Sequence, residues 1–339
     1  MYKSFNMRTD VSSQENTLYE NCIFYSQSFD DSYTRRYANS SWYHMSSSLT
    51  GYLGNYQTCF DTTPITSPTS NALLDLTYGM STGSTWYSST VVQQTEKANI
   101  YKIFASTLLG STTKQFSWAG TTYNDLFFIT LKRNVFKDYI RSNNVTLWLT
   151  ASTVSPVATM TASDSCATSL MEEYAGNYGP LLSCSTGAVQ GLIFYNAGVI
   201  AITTSSFYGP YFSGSADPSK LHMNALLTGS TLDSIVDGLR RHIQYVNVHP
   251  ATRIHSTIYK CILLDKEFNL SSNPSYTDTN GLIRVMSGSL IPSTQQTRTY
   301  CTSLGLADDF GNLLAVASLS YPVLKTPSVS LIFSVRIDY

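Results

Sequence analysis

The C-terminal segment has the clearest periodicity in the sequence, with a repeat of two residues. One set of side chains is Leu331, Phe333, Val335, Ile337 and Tyr339, and it alternates with Ile332, Ser334, Arg336 and Asp338. Successive side chains of a β-strand point to opposite faces, so this pattern predicts a strand with one apolar face. We expect the strand to be a central part of the C-terminal fold.

Strand signals recur through the second half of the chain. Two hairpins are predicted, one at 191–195 and 199–203 around an Asn-Ala-Gly turn, the other at 300–306 and 313–319 around residues 308–312. Single strands are predicted at 126–131, 145–150 and 257–264. These patterns favour antiparallel pairing.

Helical spacing occurs in three places. A helical period over 92–109 stops at Gly110, a suitable helix end, and its apolar residues are Val92, Ile100, Ile103, Phe104 and Leu108. A short helix is predicted at 134–140. Ser230 and Asp233 resemble a capping box before an apolar stripe, which predicts a helix over 230–246. The stripe consists of Ile235, Val236, Leu239, Ile243 and Val246. The expected fold class is therefore α+β and β-rich, with antiparallel sheets and hairpins, a few packed helices and an extended N-terminal arm.

Three regions are predicted along the chain. Residues 1–70 are polar and rich in tyrosine, with little periodicity, and we interpret them as an arm that orders on assembly or as a small β-subdomain. Residues 71–150 mix helix and strand signals. Residues 151–339 form the expected β-rich C-terminal domain, with the helix at 230–246.

Charged residues are scarce, and this limits the kind of surface that the protein presents. They make up 13% of the chain, whereas a soluble protein usually has about 25%, and there are 24 tyrosines. Tyrosine combines a broad apolar ring with a polar hydroxyl, so a tyrosine-rich surface suits contact with other proteins or with sugars. The net charge is −1 and the sequence has no dense Lys/Arg cluster, so we predict no nucleic-acid partner.

Targeting signals and disulfide patterns are not evident in the sequence. Residues 1–10 have no apolar core, and the most apolar stretch, 191–202, is short and broken at Asn196, so neither secretion nor a membrane partner is predicted. The six cysteines are scattered and form no CxxC pair. We interpret all six as reduced thiols of a protein assembled in the cytosol.

Residues 79–83 (GMSTG) match the G-x-S-x-G pattern in which hydrolases expose a nucleophilic serine, here Ser81. The pattern requires a strand before the serine and a helix directly after it, and the following residues are poor helix formers. Asp233 and His255 would complete a triad in the right chain order. Because a chain this rich in serine and glycine produces such a pentapeptide by chance, we predict that Ser81 is not catalytic.

The other reactive residues form no recognised site. His249 and His255 could bind a metal only if the fold brought them together, and no HExxH sequence occurs. Glu172 and Glu173, like Asp308 and Asp309, are sequence neighbours, so they do not share a face and are interpreted as solvated turn residues. Phosphate-binding glycine patterns are absent. We predict no catalytic, cofactor-binding or metal-binding residues, no cofactor, and no enzymatic activity.

Several short strings resemble virion structural proteins of large contractile-tailed bacteriophages. They are residues 75–79 (DLTYG), 191–198 (GLIFYNAG), 256–261 (STIYKC), 271–276 (SSNPSY) and 335–339 (VRIDY). The resemblance covers the chain from about residue 71 to the C-terminus and leaves residues 1–70 outside. It implies a non-enzymatic particle component, of the tail or baseplate more than of the capsid, and it defines no functional residues.

The expected function is therefore that of a structural component of a tailed-bacteriophage particle, assembled in the host cytoplasm and located in the virion. The partners would be other virion proteins, in homo- or hetero-oligomeric contacts. A glycan-binding adhesin is an alternative, in which Trp42, Trp86, Trp118 and Trp148 would stack on sugars. A capsid or neck decoration protein and a cell-wall serine hydrolase acting through Ser81 are the others.

Overall fold

A computed structural model describes most of the chain. The described residues are 6, 8–25, 43–44, 56–60, 71–152, 158–183, 185–207, 232, 235–236, 239, 242–271, 275–276, 283–285, 288–289 and 297–339. The fold is β-rich α+β with antiparallel sheets, as the sequence predicts.

Strands in the first half of the described chain are β1 (Val11–Tyr19), β2 (Cys22–Tyr25), β3 (Tyr43–His44), β4 (Gln57–Phe60), β5 (Ala72–Met80), β6 (Phe116–Trp118), β7 (Thr121–Tyr123), β8 (Asp125–Leu131), β9 (Tyr139–Ile140), β10 (Thr146–Ser152) and β11 (Ala158–Ser163). Those in the second half are β12 (Met171–Glu173), β13 (Gly176–Leu182), β14 (Val189–Phe194), β15 (Val199–Thr203), β16 (Ile243–Val248), β17 (Pro250–Leu263), β18 (Arg284–Val285), β19 (Gly288–Ser289), β20 (Thr299–Ala307), β21 (Leu313–Lys325) and β22 (Leu331–Asp338). The helices are α1 (Val92–Leu109) and α2 (Arg133–Phe136), with a 3₁₀ turn at Thr204–Ser206.

The largest sheet has 12 strands in the order β2-β16-β10-β11-β13-β14-β15-β8-β5-β4-β3, with β12 pairing to β13. Its neighbouring strands run antiparallel. A second sheet has the order β1-β17-β22, with β9 also pairing to β17. The pairs β6–β7, β18–β19 and β20–β21 are two-stranded sheets. Both predicted hairpins are confirmed, as β14–β15 and β20–β21.

The middle of the large sheet is buried on both faces. Phe127 and Ile129 of β8 belong to one apolar cluster, and Leu126 and Phe128, which point the other way, belong to a second cluster. Helix α1 supplies residues to the second cluster, including Leu108. This double burial explains why 126–131 is a continuous apolar run rather than an alternating one.

Helix α1 is confirmed from Val92 to its end at Gly110, whose φ of 77° is the left-handed conformation typical of a helix C-cap. Its buried face matches the sequence expectation at Ile100 and Leu108 and differs from it elsewhere. Val92 and Ile103 are 73% and 60% exposed, whereas Tyr101 and Ala105 are buried. Which helix residues are buried depends on the segments that pack against the helix. The small Ala105 and the more polar Tyr101 are therefore buried, while the aliphatic Val92 and Ile103 are not.

Two predicted helices end earlier than expected. Leu232, Ile235, Val236 and Leu239 are helical and buried, but Ile243 and Val246 lie in β16. The prediction of a helix to 246 is wrong there because these residues pair with β2 and β10. The predicted helix at 134–140 is the single turn α2, followed by β9.

The chain divides into two compact units, which are described separately. The smaller unit comprises residues 1–16 and 253–339, and the larger comprises 17–252. Both boundaries expected from the sequence, at 70/71 and 150/151, fall inside the larger unit. The described residues of 1–70 include strands of both main sheets, so these stretches are integral to the fold; the remaining part of the expected arm lies outside the described residues.

The C-terminal strand β22 has the predicted alternation but a different position. Leu331, Phe333, Val335 and Ile337 are half-buried and their neighbours are exposed, while Tyr339 is 74% exposed. Within the described part of the chain β22 pairs only with β17 and forms an edge of its sheet. The expectation of a central, fully buried strand is wrong, because alternation defines two faces but does not place a second layer on either one.

Candidate assembly surface

Ser81 follows strand β5 and is buried, at 4% exposure. Its Oγ accepts hydrogen bonds from the Gly83 backbone N–H at 3.0 Å and from Gln115 Nε2 at 3.1 Å. Helix α1 begins only at Val92, so the serine does not sit on a strand-to-helix turn. Of its proposed partners, Asp233 lies outside the described residues, and His255 belongs to the other unit. The hydrogen bonds of Ser81 therefore support a structural turn, and the prediction that it is not catalytic stays a prediction.

Asp125 forms a polar cluster beside this turn. Tyr78 Oη donates to Asp125 Oδ1 at 3.0 Å and Ser84 Oγ donates to the same atom at 2.8 Å. Burial raises the pKa of Asp125, and the two hydrogen bonds oppose that rise. Burial and the nearby carboxylate raise the pKa of Tyr78 well above its usual value. These contacts link the end of β5 to the start of β8, and the cluster contains no imidazole that could act as a base for either serine.

Asp164 is a second buried carboxylate, with no exposed surface. It accepts hydrogen bonds from the backbone N–H groups of Asn143 and Val145, both at 2.7 Å, and from Tyr195 Oη at 3.0 Å. Burial raises the pKa of Asp164. All of these donors come from the protein itself, so the group fixes a turn and leaves little capacity for a ligand.

The candidate metal-binding histidines fall in different units, His249 in the larger and His255 in the smaller. Burial and the neighbouring Arg141 lower the pKa of His249. The ring of His255 lies 6.2 Å from that of Tyr339. Across the described residues, no group of three or more His, Cys, Asp and Glu side chains is arranged to hold a metal ion.

The adjacent carboxylates have different environments. Glu172 and Glu173 lie in strand β12, and Glu173 forms an ion pair with Lys114 at 2.6 Å, so their interpretation as turn residues is wrong. Asp308 does lie at the turn of the β20–β21 hairpin. The Asn312 side-chain amide donates a hydrogen bond to the Asp308 carboxylate, as do the backbone N–H groups of Phe310 and Asn312, and these contacts lower its pKa. Neither pair resembles a general acid and base.

Tryptophans proposed to stack on sugars are engaged inside the fold. Trp118 packs edge-on against Tyr178, Trp148 stacks on Tyr245 at 4.4 Å, and Trp86 packs against the larger apolar cluster. Trp42 lies outside the described residues. All three described tryptophans are half-buried, and none is among the large exposed apolar side chains of the described residues.

The cysteines do not all match the sequence interpretation. Cys22, Cys59, Cys261 and Cys301 are free thiols, whereas Cys166 is disulfide-bonded. The prediction that all six are reduced is therefore wrong for Cys166. Sequence spacing gave no sign of it, because the chain path alone decides which thiols come together.

Exposed apolar side chains are concentrated in the smaller unit. Among described residues, twelve of the twenty large exposed apolar side chains belong to this unit, although it holds well under half of the chain. Leu263 is its one described apolar residue that counts as buried. The twelve are Leu264, Leu270, Tyr300, Phe310, Leu313, Leu314, Val316, Tyr321, Leu324, Val329, Ile332 and Tyr339. Large exposed apolar patches mark sites of protein interaction, so this unit is the candidate assembly surface.

Most of these side chains belong to the β20–β21 hairpin. Phe310 at its turn is 92% exposed, and Leu314 and Val316 are 65% and 61% exposed. The two strands pair with each other and, within the described residues, with no third strand. A two-stranded hairpin alone is at best marginally stable in water, so a covering partner would add to its stability.

The base of the hairpin is firmly anchored. Lys325 has no exposed surface, and its ammonium donates to the Asp265 carbonyl and Asn269 Oδ1, both at 2.9 Å, and to the Thr326 carbonyl at 3.0 Å. Thr299 Oγ1 donates to the Phe268 carbonyl at 2.8 Å. All three ammonium protons have acceptors, which offsets the cost of burying the charge.

The sequence predicted this hairpin but not its role. One signal was available: neither β20 nor β21 contains a charged residue before Lys325, and β21 is rich in Leu, Val and Ala. A hairpin without charged residues fits either a buried core or a protein interface. The exposure of its apolar side chains in the structure favours the interface.

Helices of the described chain include none long and apolar enough to cross a membrane. Comparison of the chain with protein-family models, with curated proteins and with solved structures gives no match.

Proposed function

We propose that the protein is a structural component of a tailed-bacteriophage particle, in its tail or baseplate, and that it acts through assembly contacts with other virion proteins. The observation that carries the proposal is the smaller unit, in which the β20–β21 hairpin exposes apolar side chains while the described residues supply almost no buried core. The resemblance of residues 75–79, 191–198 and 335–339 to virion proteins supplies the particle context.

Physical chemistry supports an assembly role over a solitary one. Exposed Leu313, Leu314 and Val316 would each contribute on the order of 1.5–3 kcal/mol if a partner buried them fully. Interfaces of this type have an apolar centre with aromatic residues and few charges. The hairpin has this composition, with Phe310 and Tyr321 exposed beside the aliphatic side chains.

The test is incorporation into particles. In a phage that encodes this chain, Val316→Asp places a charge in the centre of the exposed hairpin, and we expect at least a tenfold loss of the chain from purified particles, measured by quantitative mass spectrometry. Val92→Asp is the matched control, because Val92 is also exposed, at 73%, but lies on helix α1 in the larger unit.

Two results would contradict the proposal. One is the absence of the wild-type chain from purified particles that are otherwise complete. The other is normal incorporation of Val316→Asp, which would show that the hairpin is not an assembly contact.

A further inference from the structure

The disulfide of Cys166 has one candidate partner within the chain. The other described cysteines are free thiols, whereas Cys166 is bonded. The sequence contains one further cysteine, Cys184. Cys184 lies outside the described residues, but its neighbours Ser183 and Ser185 are described. Elimination therefore assigns the second sulfur to Cys184.

This bond lies beside the shortest ladder among the described strands of the large sheet. Strands β11 and β13 are neighbours in the sheet but share a single residue pair, Ser163 with Leu182. Strands β10 and β11, by comparison, share six residue pairs. A junction with so few ladder hydrogen bonds opens locally more readily than the ladders on either side of it.

The two cysteines follow this junction closely on both strands. Strand β11 ends at Ser163 and strand β13 at Leu182, so Cys166 and Cys184 come three and two residues after the shared pair. A turn follows each strand end: the Ala167 N–H donates to the Asp164 carbonyl at 2.9 Å, and the Gly187 N–H donates to the Ser183 carbonyl at 2.7 Å. The disulfide therefore ties together the two segments that leave the junction.

The junction has a buried side and an exposed side. Asp164 has no exposed surface and accepts a hydrogen bond from Tyr195 Oη at 3.0 Å, which links the two sides of the junction inside the protein. Cys166, two residues later, is exposed. Exposed disulfides are open to attack by soluble thiols, whereas buried ones are protected from it.

We propose that the bond between Cys166 and Cys184 is a redox-controlled cross-link of the β11–β13 junction, present under oxidising conditions and replaced by two thiols in a reducing compartment. We expect the reduced chain to keep its fold, because the hydrogen bonds of Asp164 to residues 143–145 and to Tyr195 do not depend on the cross-link. The change is therefore confined to the opening of the junction.

The cross-link forms by thiol–disulfide exchange with a soluble disulfide such as oxidised glutathione. The thiolate of one cysteine attacks a sulfur of oxidised glutathione and releases one glutathione thiolate. The thiolate of the second cysteine then attacks the protein sulfur of the mixed disulfide and releases another. The two cysteines lose two protons and two electrons in total, and the two reduced glutathione molecules carry them away.

This inference is independent of the proposed function, since the junction lies in the larger unit and the candidate assembly surface in the smaller one. The first test is peptide mapping of the purified full-length chain without reductant, which should recover the peptides of Cys166 and Cys184 linked to each other. Excess reduced glutathione should convert both to free thiols in the folded chain, and oxidised glutathione should restore the link, as measured by alkylation and mass spectrometry. A link to a different cysteine would overturn the proposal, and so would a bond that persists in excess reduced glutathione.

The second test measures opening of the junction by hydrogen exchange. Exchange at residues 163–164 and 182–183 should be at least tenfold faster in the reduced chain, while the β14–β15 and β20–β21 hairpins should be unchanged. Cys166→Ser and Cys184→Ser should each exchange at the fast rate with or without reductant. Cys301→Ser is the matched control, because Cys301 is a free, half-buried thiol and its loss should leave the redox response intact. Equal exchange at the junction in both redox states of the wild type would overturn the proposal.

Discussion

At the scale of single residues, the buried carboxylates determine local backbone geometry. Asp164 holds the turn at residues 143–145, where Asn143 adopts a left-handed φ of 62°. This conformation is uncommon for a residue other than glycine, and the two N–H···O bonds from the turn to the carboxylate compensate for its cost. In the sequence Asp164 is only an Asp in a Ser-rich stretch. Its role arises when the fold brings it next to the turn at residues 143–145.

Asp164→Ala should lower the free energy of unfolding by about 2–4 kcal/mol, because it removes the acceptor of the buried Val145 N–H and Tyr195 hydroxyl and of the part-buried Asn143 N–H. Tyr195→Phe removes only one of these donors and should cost about 1 kcal/mol. Urea unfolding of both variants measures the difference. Equal losses would show that the backbone donors find other acceptors.

Asp125 leads to a prediction about pH. Its pKa is raised above 3.8 in the folded state, so the folded protein binds the proton more tightly than the unfolded chain does. The stability that this group contributes is full below its unfolded pKa and decreases as the pH rises through the folded pKa. Asp125→Asn keeps an acceptor for Tyr78 and Ser84 but does not titrate.

The stability difference between wild type and Asp125→Asn should therefore shift against the wild type as the pH rises above 3.8, and then become constant. Urea unfolding at intervals between about pH 3 and pH 7 measures this difference. A difference that shifts in favour of the wild type with rising pH would mean that the hydrogen bonds from Tyr78 and Ser84 outweigh burial.

At the scale of elements, close approach of helix α1 to strand β5 depends on one glycine. A Cβ at Gly79 would lie 2.8 Å from the backbone N and 3.0 Å from the Cα of Tyr101, and backbone atoms cannot rotate away as a side chain does. The sequence placed this glycine in a serine-hydrolase pattern. In the structure Gly79 allows α1 to pack closely against β5. A short motif could not reveal this role, because Tyr101 lies outside the motif.

Gly79→Ala should cost about 1–3 kcal/mol, since the helix must move away from the sheet. Hydrogen exchange should also become faster across α1. Gly120→Ala is the control: it has a left-handed φ of 82° but no atom within 4 Å of the added Cβ, so it should leave exchange in α1 unchanged. Equal effects of the two variants on α1 would argue against the steric explanation.

At the scale of the whole molecule, the N-terminal region joins both main sheets. Strand β2 pairs with β16 from Cys22 to Tyr25, and β1 is a neighbour of β17. The sequence suggested an arm, because residues 1–70 are mostly polar with little periodicity, and the partners of these strands are more than two hundred residues away. Strand β1 is exposed over most of its length, so its sequence has no apolar face that would alternate.

Deletion of residues 1–25 should lower the melting temperature and broaden the transition, because β16 and β17 would lose a neighbouring strand. Deletion of residues 1–9 is the control, since it ends before Asp10, whose carbonyl accepts the Lys260 N–H. Differential scanning calorimetry compares the two. Wild-type melting of the longer deletion would restore the interpretation of this region as a separate arm.

The sequence by itself determined the local elements. Alternation identified β22, turn residues identified both hairpins, and the period and final glycine identified helix α1 from Val92 to Gly110. These features are set by backbone conformation and side-chain direction over a few residues.

Only the tertiary structure decided which faces are covered. In the structure Val92 and Ile103 of α1 are exposed, Tyr101 is buried, β22 lies at an edge of its sheet, and large apolar side chains of the β20–β21 hairpin are open to solvent. Periodicity fixes the directions of side chains relative to one another, whereas burial depends on what lies opposite, and that is supplied by residues far away in the chain.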